Sequence, residues 1–151
     1  MNLSSFPEGQ GIVFLDEFTR LEKDCFGIHA WDRNSILSHL STKTSILLVS
    51  ENNSIGYSLI YESPDEIEIF RIGITKSRQR EGLGSKVLKF ICTEFKKPVF
   101  LEVRGDNLSA ISLYKKNAFH LVGKRKKYYS DGMEALLFRY GEDMESTNPD
   151  G

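Results

Sequence analysis

The amino-acid sequence predicts a mixed α/β domain whose elements follow the order ααβββαβαββ. Apolar residues recur at helical spacing near the N-terminus and again after residue 84, whereas residues 45–75 are rich in β-branched and aromatic residues. The chain has 151 residues, of which 40% are hydrophobic and 27% are charged, which is typical of one globular domain. We expect this domain to span residues 1–140.

Two helices open the predicted fold. An apolar stripe at helical spacing predicts the first helix over residues 15–26, and its members are Leu15, Phe18, Leu21 and Cys25. Asp32 is a suitable N-cap for a second, shorter helix over residues 33–40.

A hairpin and a third strand follow the helices. Residues 45–50 and 56–62 are strand-like, and residues 51–54 between them have turn composition. In the third strand, over residues 66–75, the alternation of apolar residues slips by one position between Ile69 and Phe70. Such a slip is typical of a β-bulge.

The second half of the chain continues as helix, strand, helix and hairpin. An apolar stripe after the turn at residues 78–86 predicts a helix that Pro98 stops, and its members are Val87, Leu88, Ile91, Cys92 and Phe95. Residues 99–103 form a buried strand. Asp106 or Asn107 then caps a helix that runs to Asn117.

A closing hairpin and a tail complete the prediction. Residues 120–129 and 133–140 form the two strands, joined by a turn at residues 130–132. The last eleven residues, 141–151, include four acidic residues and no basic ones, and we expect them to be disordered. Residues 1–140 therefore hold 20 basic and 17 acidic residues.

Composition excludes several classes of protein. The mildly basic folded part suits an anionic cofactor but falls short of a dedicated nucleic-acid binder. Cys25 and Cys92 have no spacing typical of a disulfide framework or a zinc site, and no histidine has metal-ligand spacing, so we expect no metal. Without a leader or an apolar span, we expect a cytoplasmic protein with no membrane partner, acting as a monomer or weak dimer.

Two glycines mark a candidate phosphate site between the third strand and the following helix. Gly82 and Gly84 allow the backbone to approach a ligand closely, and the helix N-terminus offers backbone N–H groups to an anion. The turn is not a P-loop, because Ser85 precedes Lys86, and it is not a dinucleotide fingerprint, because Val87 replaces the third glycine. Taken alone, the glycines could also simply make a tight connection.

The stretch from Gln79 to Gly84 matches the Q/R-x-x-G-x-G/A motif of the GNAT superfamily of acetyl-CoA-dependent N-acetyltransferases, and the sequence resembles that family further in residues 67–138. The resemblance implies a central, mostly antiparallel sheet whose bulged strand splays open in a V. It also implies that acetyl-CoA is the co-substrate. The implied cofactor residues are Ile72, Gly73, Ile74, Gln79, Arg80, Glu81, Gly82, Leu83, Gly84, Ser85 and Asn107.

The same resemblance implies two catalytic residues. It assigns the general base to Glu102, in the middle of a buried strand, and the acid that protonates the leaving thiolate to Tyr114. Glu102 could instead face solvent or pair with an arginine such as Arg104, and Tyr114 could be an ordinary residue at the edge of the core. No cysteine is positioned as an obvious nucleophile, so we expect direct transfer in a ternary complex.

Residues 101–119 and 125–138 resemble the RimI type within this superfamily, which acetylates the N-terminal alanine of a small-subunit ribosomal protein. This implies a protein N-terminus as the partner, with Trp31, Tyr128 and Tyr129 beside it. Ala118 departs from the family pattern, which has glycine there. A small amine or a lysine remains an alternative acceptor, and a non-catalytic acyl-CoA- or RNA-binding module remains an alternative class.

Overall fold

A computed structural model describes residues 1–141, and these residues form a seven-stranded sheet in the order β1-β2-β3-β4-β5-β7-β6. Within residues 1–141, β4 and β5 are the one parallel pair, and the other neighbouring strands are antiparallel. The strands are β1 (Asn2–Phe6), β2 (Thr44–Ser50), β3 (Asn53–Glu62), β4 (Ile67–Ile74), β5 (Val99–Arg104), β6 (Phe119–Arg125) and β7 (Ala135–Tyr140). The α-helices are α1 (Leu15–Phe26), α2 (Arg33–Thr42), α3 (Leu83–Glu94) and α4 (Leu108–Lys116), and short 3-10 helices span Gln10–Phe14, Gly27–His29 and Lys76–Arg78.

Helices pack on both faces of the sheet, because successive strand residues point to opposite sides. On β2, Ile46 and Leu48 pack in the cluster formed with α3 and α4, whereas Leu47 packs in the cluster formed with α1 and α2. The predicted apolar stripes of α1 and α3 contribute Phe18 and Val87, which are fully buried. The predicted mixed α/β class is therefore confirmed.

The predicted β-bulge is present in β4. Leu59 of β3 pairs with Arg71, but its neighbour Ile60 pairs with Ile69, so Phe70 is the extra residue. On the other side of β4, pairing with β5 extends only from Ile67 to Ile69. The two strands separate at the bulge, as the V-shaped splay requires.

The structure adds one strand that the predicted order lacks. Strand β1 pairs with β2 along its full length, at the edge of the sheet. Its sequence contains two serines and an asparagine, which have low β-propensity, and an edge strand has only one neighbour to pair with. The expected acidic tail, 141–151, lies outside the described residues except for Gly141.

The closing hairpin is shorter than predicted. Strand β6 begins at Phe119 and ends at Arg125, so residues 126–134 form a loop. Lys127 has a φ of 52°, which a continuing strand cannot adopt. The amide of Tyr129 donates to the carbonyl of Met133 and closes the loop.

The capping predictions hold for two helices. The Asp32 carboxylate accepts from the Ser35 amide at the start of α2, and the Asn107 side chain accepts from the Ala110 amide at the start of α4. In residues 1–141, no helix combines the length and apolar character needed to cross a bilayer.

Helix α4 ends in a conformation that suits glycine. Ala118 follows the C-cap Asn117 and has a φ of 64°, in the left-handed region. This is the position at which glycine commonly terminates helices, because a Cβ atom is strained there.

We expect Ala118→Gly to raise the free energy of unfolding by about 1 kcal/mol, because glycine removes the left-handed strain at an exposed site. Urea denaturation of the two proteins measures the difference. Ser112→Gly, at an exposed position inside α4, is the matched control and should lower stability by about 0.5 kcal/mol. Equal losses in both variants would contradict the strain argument.

Candidate functional site

The separation of β4 from β5 opens a cleft with two halves of about 740 Å³ each. The glycine-loop half lies against the end of β4, residues 78–85 and α4. The Glu102 half lies between the middle of β4 and the end of β5. Both halves share lining residues from α1, β4 and α4, namely Phe26, Ile72, Asn107, Ala110 and Tyr114. A ligand in one half can therefore contact a ligand in the other.

Ten of the eleven sequence-predicted cofactor residues line the glycine-loop half. They are Ile72, Gly73, Ile74, Gln79, Arg80, Gly82, Leu83, Gly84, Ser85 and Asn107. Glu81 instead pairs with Arg78, whose Nε and Nη2 donate to its carboxylate at 2.8 and 3.1 Å. The Gln79 side chain donates to the carbonyl of Ile74 at 3.0 Å and holds the loop against the end of β4.

The N-terminus of α3 forms one wall of this half and has no capping side chain, since its N-cap is Gly82. Gly82 has a φ of 77° and Arg80 a φ of 71°, so the loop turns sharply through two left-handed residues. The first amides of α3 have no partners within the helix, and the helix dipole favours an anion at this end. This end of α3 therefore suits a phosphate group.

Cys25 also lines the glycine-loop half, which sequence reasoning missed. Its Sγ donates to the carbonyl of Ile74 at 3.3 Å. Burial raises the pKa of the Cys25 thiol to about 12, with a further contribution from the Asp24 carboxylate. The side chain is therefore a protonated thiol near neutral pH and a poor nucleophile.

Glu102 points into the second half, with 26% of its side chain exposed. Its Oε1 lies 3.0 Å from Nε of Arg125, on β6. Glu102 therefore pairs with an arginine, as the alternative interpretation expected, but the partner is Arg125 and not Arg104. Arg104 is engaged elsewhere, with Asp106 and Asp131.

Tyr114 lies where the two halves meet and is 7% exposed. Its ring packs 5.8 Å from that of Phe119 and 6.3 Å from that of Phe138, so the residue belongs to the core and to the cleft at once. Burial raises the pKa of Tyr114 to about 12. The hydroxyl is therefore protonated near neutral pH and can donate a proton or a hydrogen bond.

The three predicted acceptor residues lie at different depths. Tyr129 lines the Glu102 half, and its ring stands 5.1 Å from the Arg104 guanidinium. Tyr128 is exposed and packs edge-on against Tyr129. Trp31 packs with the α1–α2 cluster, and its ring lies 5.6 Å from the guanidinium of Arg71, which lines the Glu102 half.

Sequence reasoning missed the charged groups that form the walls of the Glu102 half. Arg71 and Asp131 line it, and Glu22 is buried behind it in contact with Arg71. The sequence did contain a signal that Glu22 is buried. This residue lies four residues after Phe18 and three before Cys25, so it falls on the apolar face of α1. Across residues 1–141, no cluster of three histidine, cysteine or acidic residues is arranged to hold a metal ion.

Comparisons with known proteins agree with this geometry. Residues 12–119 match the acetyltransferase (GNAT) family. The [ribosomal protein bS18]-alanine N-acetyltransferase of Escherichia coli K12 is 28% identical over 114 residues, which cover 71% of this chain and 77% of that protein.

Two solved structures have the same fold. The ribosomal-protein-S18-alanine N-acetyltransferase from Escherichia coli superposes with a TM-score of 0.81 at 24% identity, over 97% of both chains. A GNAT family acetyltransferase from Elizabethkingia anophelis, solved with acetyl-CoA bound, superposes with a TM-score of 0.72 at 19% identity, over 93% of this chain and 99% of that one. With a family match over most of its length and a cleft at the splay between β4 and β5, this chain belongs to the GNAT family of acetyltransferases.

Proposed function

We propose that this enzyme transfers an acetyl group from acetyl-CoA to the N-terminal amine of a protein, such as the alanine of a small-subunit ribosomal protein. The observation that carries the proposal is a cleft in which an uncapped helix N-terminus lines one half, a carboxylate lines the other, and Tyr114 lines both. The similarity to an alanine N-acetyltransferase supports the choice of acceptor.

The glycine-loop half fits acetyl-CoA. The first amides of α3, beginning at Leu83, would bind the pyrophosphate, because the loop before them approaches without a side chain at Gly82. After the bulge, the edge of β4 that faces β5 pairs with no strand among residues 1–141, so the backbone of residues 72–74 can pair with the amides of the pantetheine arm. A backbone N–H in this stretch would also polarise the thioester carbonyl.

The Glu102 half would hold the acceptor amine. Glu102 would take a proton from the ammonium, directly or through water, so that the nitrogen lone pair can attack the thioester carbon. The C–N bond forms and the C–S bond breaks, while Tyr114 donates its proton to the departing thiolate sulfur. The nitrogen loses its second proton as the amide forms, and that proton passes, directly or through water, to the Tyr114 oxygen, which restores the neutral hydroxyl. Because the Cys25 thiol is protonated and hydrogen-bonded to a backbone carbonyl, we favour direct transfer over a route through an acyl-enzyme intermediate.

Mass spectrometry tests this proposal directly. The purified protein is incubated with acetyl-CoA and a peptide bearing the N-terminus of the homologous ribosomal protein of its own organism. A peptide with a blocked N-terminus and one lysine is the control. We expect one acetyl group on the terminal residue of the first peptide, with release of one free thiol.

Other results of this assay would overturn the proposed acceptor. Acetylation of the lysine peptide or of a small amine would move the acceptor to another class. If acetyl-CoA binds but is not consumed, and RNA binds in a salt-sensitive manner, the chain is a binding module instead.

Glu102→Gln should lower kcat by about 100-fold or more, because glutamine keeps the volume of the side chain but cannot accept the proton. The Kd for acetyl-CoA, measured by calorimetry, should stay unchanged, because Glu102 lies in the other half of the cleft. Glu62→Gln is the matched control, since Glu62 also pairs with a basic residue but lies on the surface. Wild-type turnover in Glu102→Gln would remove Glu102 from the mechanism.

Tyr114→Phe should lower kcat by about 100-fold through loss of the acid, whereas its melting temperature should stay near that of the wild type, because the ring contacts with Phe119 and Phe138 remain. Tyr61→Phe, at an exposed position on β3, controls for the loss of a hydroxyl. Single-turnover kinetics measures the chemical step. Full kcat in Tyr114→Phe would mean that Tyr114 is only a core residue.

A further inference from the structure

We propose that Arg71 positions the acceptor. In this proposal it fastens residues 26–31, which begin at the last residue of α1 and border the cleft, to strand β4, and it offers one guanidinium nitrogen to a carbonyl of the acceptor peptide. The inference rests on the proposed function, since it names the residue that selects a peptide N-terminus over a simple amine in the same cleft.

The contacts of Arg71 join β4 to α1 and to the segment after it. Its Nε and Nη2 each lie 3.0 Å from one carboxylate oxygen of Glu22, which gives a bidentate pair. Nη2 also donates to the carbonyl of His29 at 2.8 Å. The guanidinium stacks on the ring of Phe26 at 3.8 Å.

Glu22 is fully buried and holds Arg71 in one orientation. Its carboxylate accepts two more hydrogen bonds of 2.6 Å, from the Tyr57 hydroxyl and from the Trp31 amide. Burial raises the pKa of Tyr57 well above its usual value, with a further contribution from Glu22, so the hydroxyl remains a donor. Four donors therefore satisfy this carboxylate, and a rotation of either partner would leave a buried charge unpaired.

The segment at residues 26–31 is fastened to this pair at three points. These are the ring of Phe26, the carbonyl of His29 and the amide of Trp31. Phe26 and His29 line the Glu102 half. The position of this wall of the acceptor site therefore depends on Arg71.

One nitrogen of Arg71 remains for a ligand. The contacts with Glu22 and His29 use Nε and Nη2, and among residues 1–141 no hydrogen bond involves Nη1. The side chain is 19% exposed and lines the Glu102 half. In a peptide N-terminus, the first carbonyl carbon is bonded directly to the carbon that bears the amine. A lysine side chain or a simple alkylamine has no carbonyl so close to its amine, and Nη1 therefore distinguishes the two classes.

The test compares Arg71→Lys with the wild type in the acetyl transfer assay. Lysine keeps the charge but cannot pair with both Glu22 oxygens and His29 at once. We expect the KM for the alanine peptide to rise about tenfold, with kcat and the Kd for acetyl-CoA nearly unchanged. A peptide analogue whose first carbonyl is reduced to a methylene should show a raised KM already in the wild type, and Arg71→Lys should raise this KM by a smaller factor than it raises that of the alanine peptide.

Arg33→Lys is the matched control, because Arg33 forms an exposed ion pair with Asp16 and neither residue lines the two halves of the cleft. It should match the wild type in every readout. An unchanged peptide KM in Arg71→Lys overturns the proposal. So does a parallel loss of kcat, peptide binding and acetyl-CoA binding, because that pattern indicates a purely structural role.

Hydrogen exchange measures the fastening without any need for activity. The amides of residues 27–31 should exchange at least about tenfold faster in Arg71→Lys and in Glu22→Gln than in the wild type or Arg33→Lys. Unchanged exchange overturns the proposal. If the wild type transfers no acetyl group to any peptide, the proposed function fails. In that case the proposed acceptor contact at Nη1 is also wrong. The hydrogen-exchange rates still show whether Arg71 fastens residues 26–31 to β4.

Discussion

The extra residue at Phe70 is the constraint on which the rest of the structure depends. Up to Ile69, β4 and β5 pair as an ordinary parallel ladder, and beyond it they separate. Had the ladder continued, the backbone groups of residues 71–74 would be used up in sheet hydrogen bonds and the space between the strands would be closed. One insertion thus creates the volume of the cleft and the unpaired edge that lines it.

Two arginines then shape the walls of the cleft, and they differ in burial. Arg71 and Glu22 form an ion pair from which water is largely excluded. Loss of one partner would leave the other as an unpaired buried charge, so the orientation of both side chains is strongly determined. Arg104 holds Asp106 and Asp131 at a more exposed site, where its guanidinium lowers the pKa of Asp131. Exposed pairs of this kind contribute little stability, so the loop at residues 126–134 is fastened less firmly than residues 26–31.

The helix termini show how one backbone feature serves two purposes. At α2 and α4, Asp32 and Asn107 satisfy the first amides and so stabilise the helices. At α3, the N-cap is Gly82, which has no side chain, and the terminus faces the cleft. The stability that a cap would contribute there is given up, and the free amides remain available to a bound anion.

Local chemistry determined most of the elements, because hydrophobic period, caps and turns act over a few residues. The bulge at Phe70, the glycine loop and the helices could be predicted in this way. Strand β1 could not, because its sequence is polar and it forms only by pairing with β2. The tertiary structure alone decided that β7 lies between β5 and β6, that Arg125 pairs with Glu102, and that Arg71 meets Glu22 across 49 residues. A local pattern indicates which face a residue occupies. Which distant residue it meets depends on strand order and on burial, and these are properties of the whole fold.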